Sequence, residues 1–367
     1  MIRLEARPAP SRRMTLLSPI LALSITVLVA GTLFIALDKD PVRALSLFLV
    51  KPFQGTWNLT ELGLKITPLI LCSLGLALCF RANVWNIGAE GQFVFGAIGG
   101  GGLAMWVTTH GVEVSRWGFF PFVIVAGALA GAAWAAAVAY CKDRFHANEI
   151  LVSLMLVYVA NLFLTWLVVD PWKDPAGWGM PKTVSFAAST TIPRMFPGMR
   201  LHWGLPLALL AAAAMWMFLF RTFKGNQLQI GGLAPAAARY AGFSPRAALW
   251  TTLLTSGALA GVAGAFEVVG PSGQLNQGAA SGYGFTAIVV AFVGRLNPIG
   301  CVLASILLSA FRRGGELAQG MQIPPALTGV FEGVLLVTML VCDTFIHHRV
   351  RFGNGGPAAA ASSRPTP

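Results

Sequence analysis

The segment FRANVWNIGAEGQ, Phe80 to Gln92, separates two strongly apolar runs with a cluster of polar side chains. The runs on either side, Leu62–Phe80 and Phe93–Val107, carry almost no charge. Polar groups and unwound backbone at membrane depth are costly, and they persist mainly where they line a cavity or a water-filled path. One interpretation is therefore a broken helix beside a permeation route. The polar residues of the segment are Arg81, Asn83, Asn86, Glu90 and Gln92.

A second interpretation makes the same segment an ordinary cytoplasmic turn between two membrane spans. Arg81 would then lie at the lipid headgroups, and Asn83 or Asn86 would cap the next helix. Hydropathy does not separate the two interpretations, because both place a polar interruption between apolar helices. The rest of the chain favours a transport protein.

The composition excludes a soluble protein. Of the 367 residues 56% are apolar and 11% are charged, with a mean hydropathy of +0.69, whereas about a quarter of the residues of a soluble domain are charged. The formal net charge of +12 comes from Lys and Arg in short loops, where anionic headgroups and the positive-inside rule explain them. We therefore expect a membrane protein that contacts lipid and does not bind nucleic acid.

Apolar runs of about 20 residues, the length that crosses a bilayer as a helix, recur along the chain. They predict an all-α, polytopic transmembrane helical bundle over residues 15–347, with about ten passes and both ends inside. Residues 1–14 are predicted to be a cytoplasmic tail and residues 348–367 a disordered cytoplasmic tail. A loop at 170–201 is predicted outside, where it could receive a binding protein or simply be a solvated crossover.

Near the C-terminal half, a glycine-rich stretch from Gly270 to Gly284 precedes two short apolar runs, Phe285–Val293 and Ile299–Phe311. Neither run is long enough to cross a membrane alone. Short, interrupted hydrophobic segments are typical of discontinuous helices at a transport site.

The longest polar interruption on the predicted cytoplasmic side is residues 221–246. Within it, Pro235–Tyr240 begins with a proline, the residue preferred at a helix start, and Gly242 follows at a stop position. The pattern predicts a short helix with small side chains. Such a helix could dock into a groove of a soluble partner, or it could be an amphipathic helix on the membrane surface.

Motifs for catalysis are missing from the sequence. It contains no GxxxxGK[ST], HExxH or GxSxG, and its five cysteines form no CxxC pair. We therefore expect no enzymatic activity, no metal site and no cofactor held by this chain.

Five blocks in the same order resemble the membrane permease subunits of bacterial ABC importers of the branched-chain amino acid, ribose and nucleoside group. The similarity is strongest to the simple-sugar and nucleoside branch, which works with a basic membrane lipoprotein, and it runs from about residue 60 to 345. The blocks are NVWNIGAEGQF (83–93), NEILVSLMLVYVA (148–160), APAAARYAGFSPR (234–246), SGALAGVAGAFEVVG (256–270) and GYGFTAIVVAFVGRLNPIG (282–300).

The resemblance implies a permease in the bacterial inner membrane that carries a nucleoside or simple sugar. Its implied partners are an ATPase with two nucleotide-binding domains, which alone binds ATP, a second related permease and an extracytoplasmic substrate-binding lipoprotein. It implies that residues 234–242 form the coupling helix gripped by the ATPase, through Ala234, Pro235, Ala237, Arg239, Tyr240 and Gly242. The substrate pathway is assigned Asn83, Asn86, Glu90, Gln92, Gln274 and Asn276.

An ion-coupled secondary transporter of a small polar solute is the alternative. In such a protein Glu90, Glu267 and Glu332 would be proton or cation sites. The proposed coupling helix would then have no role.

Overall fold

Helices form most of the part of the protein that its computed structural model describes, which is residues 2–6, 12–279 and 282–352. Each predicted apolar run lies in a helix. The run Ile299–Phe311 was predicted to be short, but its helix continues to Ala318, because Arg312 and Arg313 find carboxylate partners there. The thirteen α-helices of this part of the chain are α1 (Arg12–Ala36), α2 (Pro41–Leu49), α3 (Thr56–Arg81), α4 (Ala89–Thr109), α5 (Arg116–Phe145), α6 (Glu149–Val169), α7 (Gly204–Arg221), α8 (Phe223–Leu233), α9 (Pro235–Tyr240), α10 (Pro245–Glu267), α11 (Tyr283–Val293), α12 (Pro298–Ala318) and α13 (Ala326–His347).

The first and last described segments of the chain pair in a small antiparallel ribbon. Strand β1 (Ile2–Ala6) pairs with β2 (His348–Phe352), with Ile2 opposite Phe352. Disorder was predicted from residue 348 onward, but the pairing with β1 gives residues 348–352 backbone hydrogen-bond partners, so they form a strand instead. The remainder of that predicted tail, 353–367, lies outside the described residues. The pairing also places both ends of the described chain on the same side of the bundle.

The all-α, polytopic fold is confirmed. Seven of the described helices are long and apolar enough to cross a membrane: α1, α3, α5, α6, α7, α10 with its continuation to Ser272, and α13. Helices α4 and α12 have 21 residues each but are not among these seven, and α11 has only 11 residues. The total of about ten passes and the orientation with both ends inside therefore stay predictions.

Contacts between connections define two ends of the bundle. At the α9 end, Arg81 at the end of α3 contacts Gln229 of α8, and Arg246 of α10 contacts Asp143 of α5. At the outer-loop end, residues 170–203 lie against the segment that follows α10. Thr183 donates its backbone N–H to the Leu275 carbonyl at 2.9 Å, and Phe186 donates to Gly273 at 2.8 Å.

Helices α4, α5 and α10 pack almost backbone to backbone at the centre of the bundle. Gly261 of α10 faces Gly96 of α4 and Gly127 and Gly131 of α5, and a Cβ at Gly261 would overlap the Gly127 carbonyl oxygen. Helices in lipid gain little from burying apolar surface against each other, so close van der Waals packing between small residues has to hold them together. The small residues of α4, α5 and α10 thus form one three-helix contact.

The loop between α6 and α7 is fastened to the bundle by a charged pair and a buried histidine. Arg200 donates to both carboxylate oxygens of Glu61, the Nε bond measuring 2.9 Å. His202 is only 2% exposed, accepts the Gly204 N–H at 3.0 Å through Nδ1, and lies beside the Phe266 ring. Burial lowers the pKa of His202 from 6.5 to about 4, because the apolar surroundings disfavour the imidazolium.

Acid is therefore expected to loosen this loop. Above pH 6.5 His202 is neutral whether or not the protein is folded, and it then has no effect on how stability varies with pH. Between pH 6.5 and about 4 only the unfolded chain binds the proton, which lowers the free energy of unfolding by up to about 3 kcal/mol. His202→Asn keeps an acceptor for Gly204 but cannot titrate. Thermal unfolding in detergent should lose less stability between pH 7 and 4 in this variant, and equal losses would contradict the assignment.

Candidate functional site

The polar break between α3 and α4 is closed by hydrogen bonds among its own side chains. Asn86 and Gln92 are both completely buried. The Asn86 Nδ2 group donates to Gln92 Oε1 and to Ser256 Oγ of α10, each at 3.0 Å, while Asn86 Oδ1 accepts from Gln92 Nε2 and from the Gly88 N–H. Every polar atom of the Asn86 amide thus has a partner, and these bonds take the place that water would have at an exposed turn.

Removing this amide should destabilise the bundle. Asn86→Leu keeps the size but leaves the Gln92 amide, the Gly88 N–H and the Ser256 hydroxyl without their partner. Each unpaired buried group costs about 1–3 kcal/mol, so we expect a fall of several degrees in the midpoint of thermal unfolding in detergent. The matched control is Asn83→Gly, because Asn83 is exposed and its φ of 56° suits glycine. Equal midpoints for the two variants would contradict the structural role.

Glu90, in the first turn of α4, binds the start of α11. One carboxylate oxygen accepts the Gly282 N–H at 2.7 Å and the other accepts the Gly284 N–H at 2.6 Å. A carboxylate at a helix N-terminus is favoured by the helix dipole and satisfies amides that have no partner within the helix. Glu90 therefore fixes the position of α11 against α4.

The other two acidic residues of the ion-coupled alternative also lie near α11. Glu332 of α13 accepts from Thr286 Oγ1 at 2.6 Å and pairs with Arg312 of α12 at 3.2 Å. Glu267 is the last residue of α10. The carboxylates of Glu90 and Glu332 are thus both occupied by protein donors.

A cavity of about 790 Å³ opens at the α9 end of the bundle. It lies between the α3–α4 turn, the α5–α6 connection, α8, α9 and the start of α10. Its wall carries charge of both signs beside the indole of Trp85. Polar and charged residues around it include Asn83, Lys142, Asp143, His146, Glu149, Lys224 and Arg246.

The predicted pathway residues lie in three different places in the structure. Asn83 lines the cavity, whereas Asn86, Glu90 and Gln92 are packed between helices above it. Gln274 and Asn276 lie at the outer-loop end, where Asn276 forms a backbone bridge with Lys182. Their joint contribution to one route stays a prediction.

Helix α9 spans the six residues for which a short helix was predicted, Pro235–Tyr240. Gly242 ends it with a φ of 80°, a conformation that favours glycine. Only Ala238 is buried, while the Tyr240 ring is 97% exposed. The remaining predicted coupling residues, Ala234, Pro235, Ala237 and Arg239, are exposed on the same short element.

The support for α9 comes from α8, whose backbone lies directly against neighbouring helices. A Cβ at Gly225 would overlap the Phe218 carbonyl oxygen, and one at Gly232 would overlap that of Arg81. Thr222 caps α8 by accepting the Gly225 N–H. Helix α9 is thus an exposed surface held on a rigid base.

Several contacts that shape this site were not found from the sequence. Arg81, which only the second interpretation placed at the lipid headgroups, reaches Gln229 and the Leu296 carbonyl. Arg312 and Thr286 complete the Glu332 cluster. A charge inside an apolar run was the only available signal, and it does not name the partner, which lies far away in the chain.

The sequence matches a known protein family over most of its length. Residues 58–340 match the family described as branched-chain amino acid transport system, permease component. The chain is 31% identical to the glucose ABC transporter permease protein TsgB13 of Haloferax volcanii, over 94% of this chain and 93% of that protein. It is also 31% identical to the guanosine ABC transporter permease protein NupP of Bacillus subtilis, over 93% and 96%. The nucleoside ABC transporter permease protein NupB of Lactococcus lactis is 25% identical, over 89% and 90%.

Proposed function

Because the chain belongs to the family of branched-chain amino acid transport system permease components, we propose that it forms the translocation route for a nucleoside or a simple sugar. It is a multi-pass protein of the cell membrane and a non-catalytic subunit. A permease of this family works with an ATPase and a substrate-binding protein. The substrate class rests on the relatives, whose names specify glucose, guanosine and nucleosides.

The proposal that a separate ATPase drives transport rests on one observation, which is that helix α9 is exposed beside the cavity. A six-residue helix with small side chains has no apolar stripe for a membrane surface, but its exposed face suits a groove on a soluble protein. We infer that the ATPase receives α9 and that ATP binding there selects between two states of the bundle.

We also propose the subunit composition of the complete transporter. It comprises an ATPase with two nucleotide-binding domains, which binds the ATP, a second related permease and a lipoprotein receptor outside the cell. Affinity and selectivity reside in the receptor, because a route with tight sites would release its cargo slowly. Asn83 lines the cavity, and Gln274 and Asn276 are partly exposed at the other end, so their amides suit transient bonds to hydroxyl-rich solutes. The amides of Asn86 and Gln92 are bonded to each other in this structure.

Reconstitution tests the proposal directly. Vesicles containing this chain, the second permease and the ATPase, supplied with the receptor, should take up guanosine or glucose only with ATP, and an uncoupler should leave uptake unchanged. Uptake by this chain alone in response to an ion gradient would overturn the proposal and favour the ion-coupled alternative.

The location of α9 is tested separately. In a Cys141→Ser background, Tyr240→Cys should react with a membrane-impermeant thiol reagent only after intact cells are opened, since Tyr240 is exposed and α9 is proposed to face the cytoplasm. A cysteine replacing Trp178, a 98% exposed residue of the outer loop, is the matched control and should react in intact cells. Reversed labelling would place α9 outside and exclude an intracellular ATPase.

A further inference from the structure

Helix α11 is too short to cross the membrane and depends on other elements at both of its ends. Its 11 residues span about 16 Å, roughly half of the hydrocarbon thickness. The amides at its start and the carbonyls at its end have no partners within the helix. Inside a bilayer they have to be satisfied by protein.

The α3–α4 break supplies a charged side chain to each end. At the start, Glu90 accepts from Gly282 and Gly284, and a Cβ at Gly284 would overlap the Glu90 backbone. Past the end, Arg81 donates through Nε to the Leu296 carbonyl at 2.6 Å. An anion at the N-terminus and a cation at the C-terminus both match the helix dipole. The Phe80 ring stacks on Phe292 at 5.2 Å and fills the space between α3 and the end of α11.

The same guanidinium reaches the segment that carries α9. Arg81 Nη1 donates to Gln229 Oε1 of α8 at 2.7 Å. Gln229 in turn donates through Nε2 to the Leu219 carbonyl at 2.6 Å, and the Arg81 guanidinium lies 5.0 Å from the centre of the Phe220 ring. Arg81 is therefore bonded on one side to the base of α9 and on the other to the end of α11.

We propose that Arg81 transmits displacement of α8 and α9 to α11, and that Arg81 and Glu90 together make α11 move as one body with the α3–α4 break. This rests on the proposed function, in which the ATPase acts on α9. The planar guanidinium suits the role because its donors point in fixed directions and can hold two acceptors at once. Arg81 is a positioning residue: it need not touch the solute, and its effect is to connect two moving elements.

Two variants interrupt the connection at different points. Arg81→Met removes both Arg81 bonds. Gln229→Met removes the Arg81 bond toward α8 together with the Gln229 bond to the Leu219 carbonyl, and it leaves Arg81 on Leu296. In the reconstituted transporter each variant should still bind the ATPase and hydrolyse ATP, while uptake falls at least tenfold. The matched control is Arg221→Met, since Arg221 is exposed and its guanidinium lies over the Trp216 ring of the same helix. Its uptake should stay within twofold of the unmodified protein.

A distance measurement shows whether Arg81 transmits movement to α11 or only holds α11 in place. Spin labels on cysteines replacing Phe285 of α11 and Val125 of α5, both exposed, report movement of α11 in the Cys141→Ser background. ATP should change the distance in the unmodified chain and leave it constant in Gln229→Met. A brace without transmission would leave the ATP-dependent change intact.

The outcomes distinguish the two proposals. If the unmodified transporter shows no ATP-driven uptake, the proposed function fails and this inference fails with it. If that uptake is present and Gln229→Met retains it, or if Gln229→Met loses ATPase binding, only the inference is overturned. Should Arg81→Met fail to fold, Gln229→Met still decides the question.

Discussion

Replacing Gly261 with leucine is expected to prevent the bundle from assembling. Gly261 lies where α4, α5 and α10 meet, and a Cβ there would already overlap the Gly127 carbonyl oxygen and crowd Gly131. The four side-chain carbons of leucine have no space unless the helices separate, and separation forfeits the dispersion contacts that hold helices together in lipid. We expect no folded, monodisperse protein after extraction in mild detergent.

The control for this effect is the same substitution in open space. Gly333 of α13 is exposed, and a Cβ added there would meet no atom within 4 Å. Gly333→Leu should therefore give protein with normal yield and elution. If Gly261→Leu behaved like Gly333→Leu, the close packing of α4, α5 and α10 would be wrong.

Ala237→Asp is expected to abolish transport without affecting insertion. Ala237 is exposed on α9, next to the buried Ala238, so the carboxylate does not disturb the fold of this chain. In the proposed complex it would be buried against the ATPase, and an unpaired buried charge costs several kcal/mol. A cost of about 3 kcal/mol weakens binding by roughly a hundredfold. Copurification with the ATPase should be lost and ATP-driven uptake should fall to background.

The matched control carries the same substitution at the other end of the bundle. Ala188 is exposed in the loop between α6 and α7, so Ala188→Asp should retain the ATPase. Unchanged copurification and uptake in Ala237→Asp would remove α9 from the docking surface. Loss of the ATPase in both variants would show that the effect is not local to α9.

Local sequence signals were sufficient for the long apolar helices and for α9, whereas they did not predict α8, the full length of α12 or the ribbon of β1 and β2. Apolar length gave the helices, and the proline at 235 with the glycine at 242 gave the short α9. These signals act within a few residues, because helix starts and stops depend on backbone groups near the end. The resemblance to permeases likewise rested on local blocks, and the family match over residues 58–340 confirms it.

The hydrogen-bond partners of the polar residues could not be predicted from local sequence signals. The sequence placed Asn86, Glu90 and Gln92 together and left open whether they face a route or cap a turn. Only the packing shows that Asn86 meets Ser256, 170 positions later, and that Glu90 meets Gly284, 194 positions later.

By itself, therefore, the sequence determined a bundle of membrane helices with a polar break and a small exposed helix, because hydropathy and helix ends are local properties. Only the tertiary structure decided that side chains of the α3–α4 break bind both ends of α11. It also decided that Arg81 connects the end of α11 to α8. The physical reason is that buried polar groups must find partners wherever helix packing brings donors and acceptors together, and that packing depends on the whole chain.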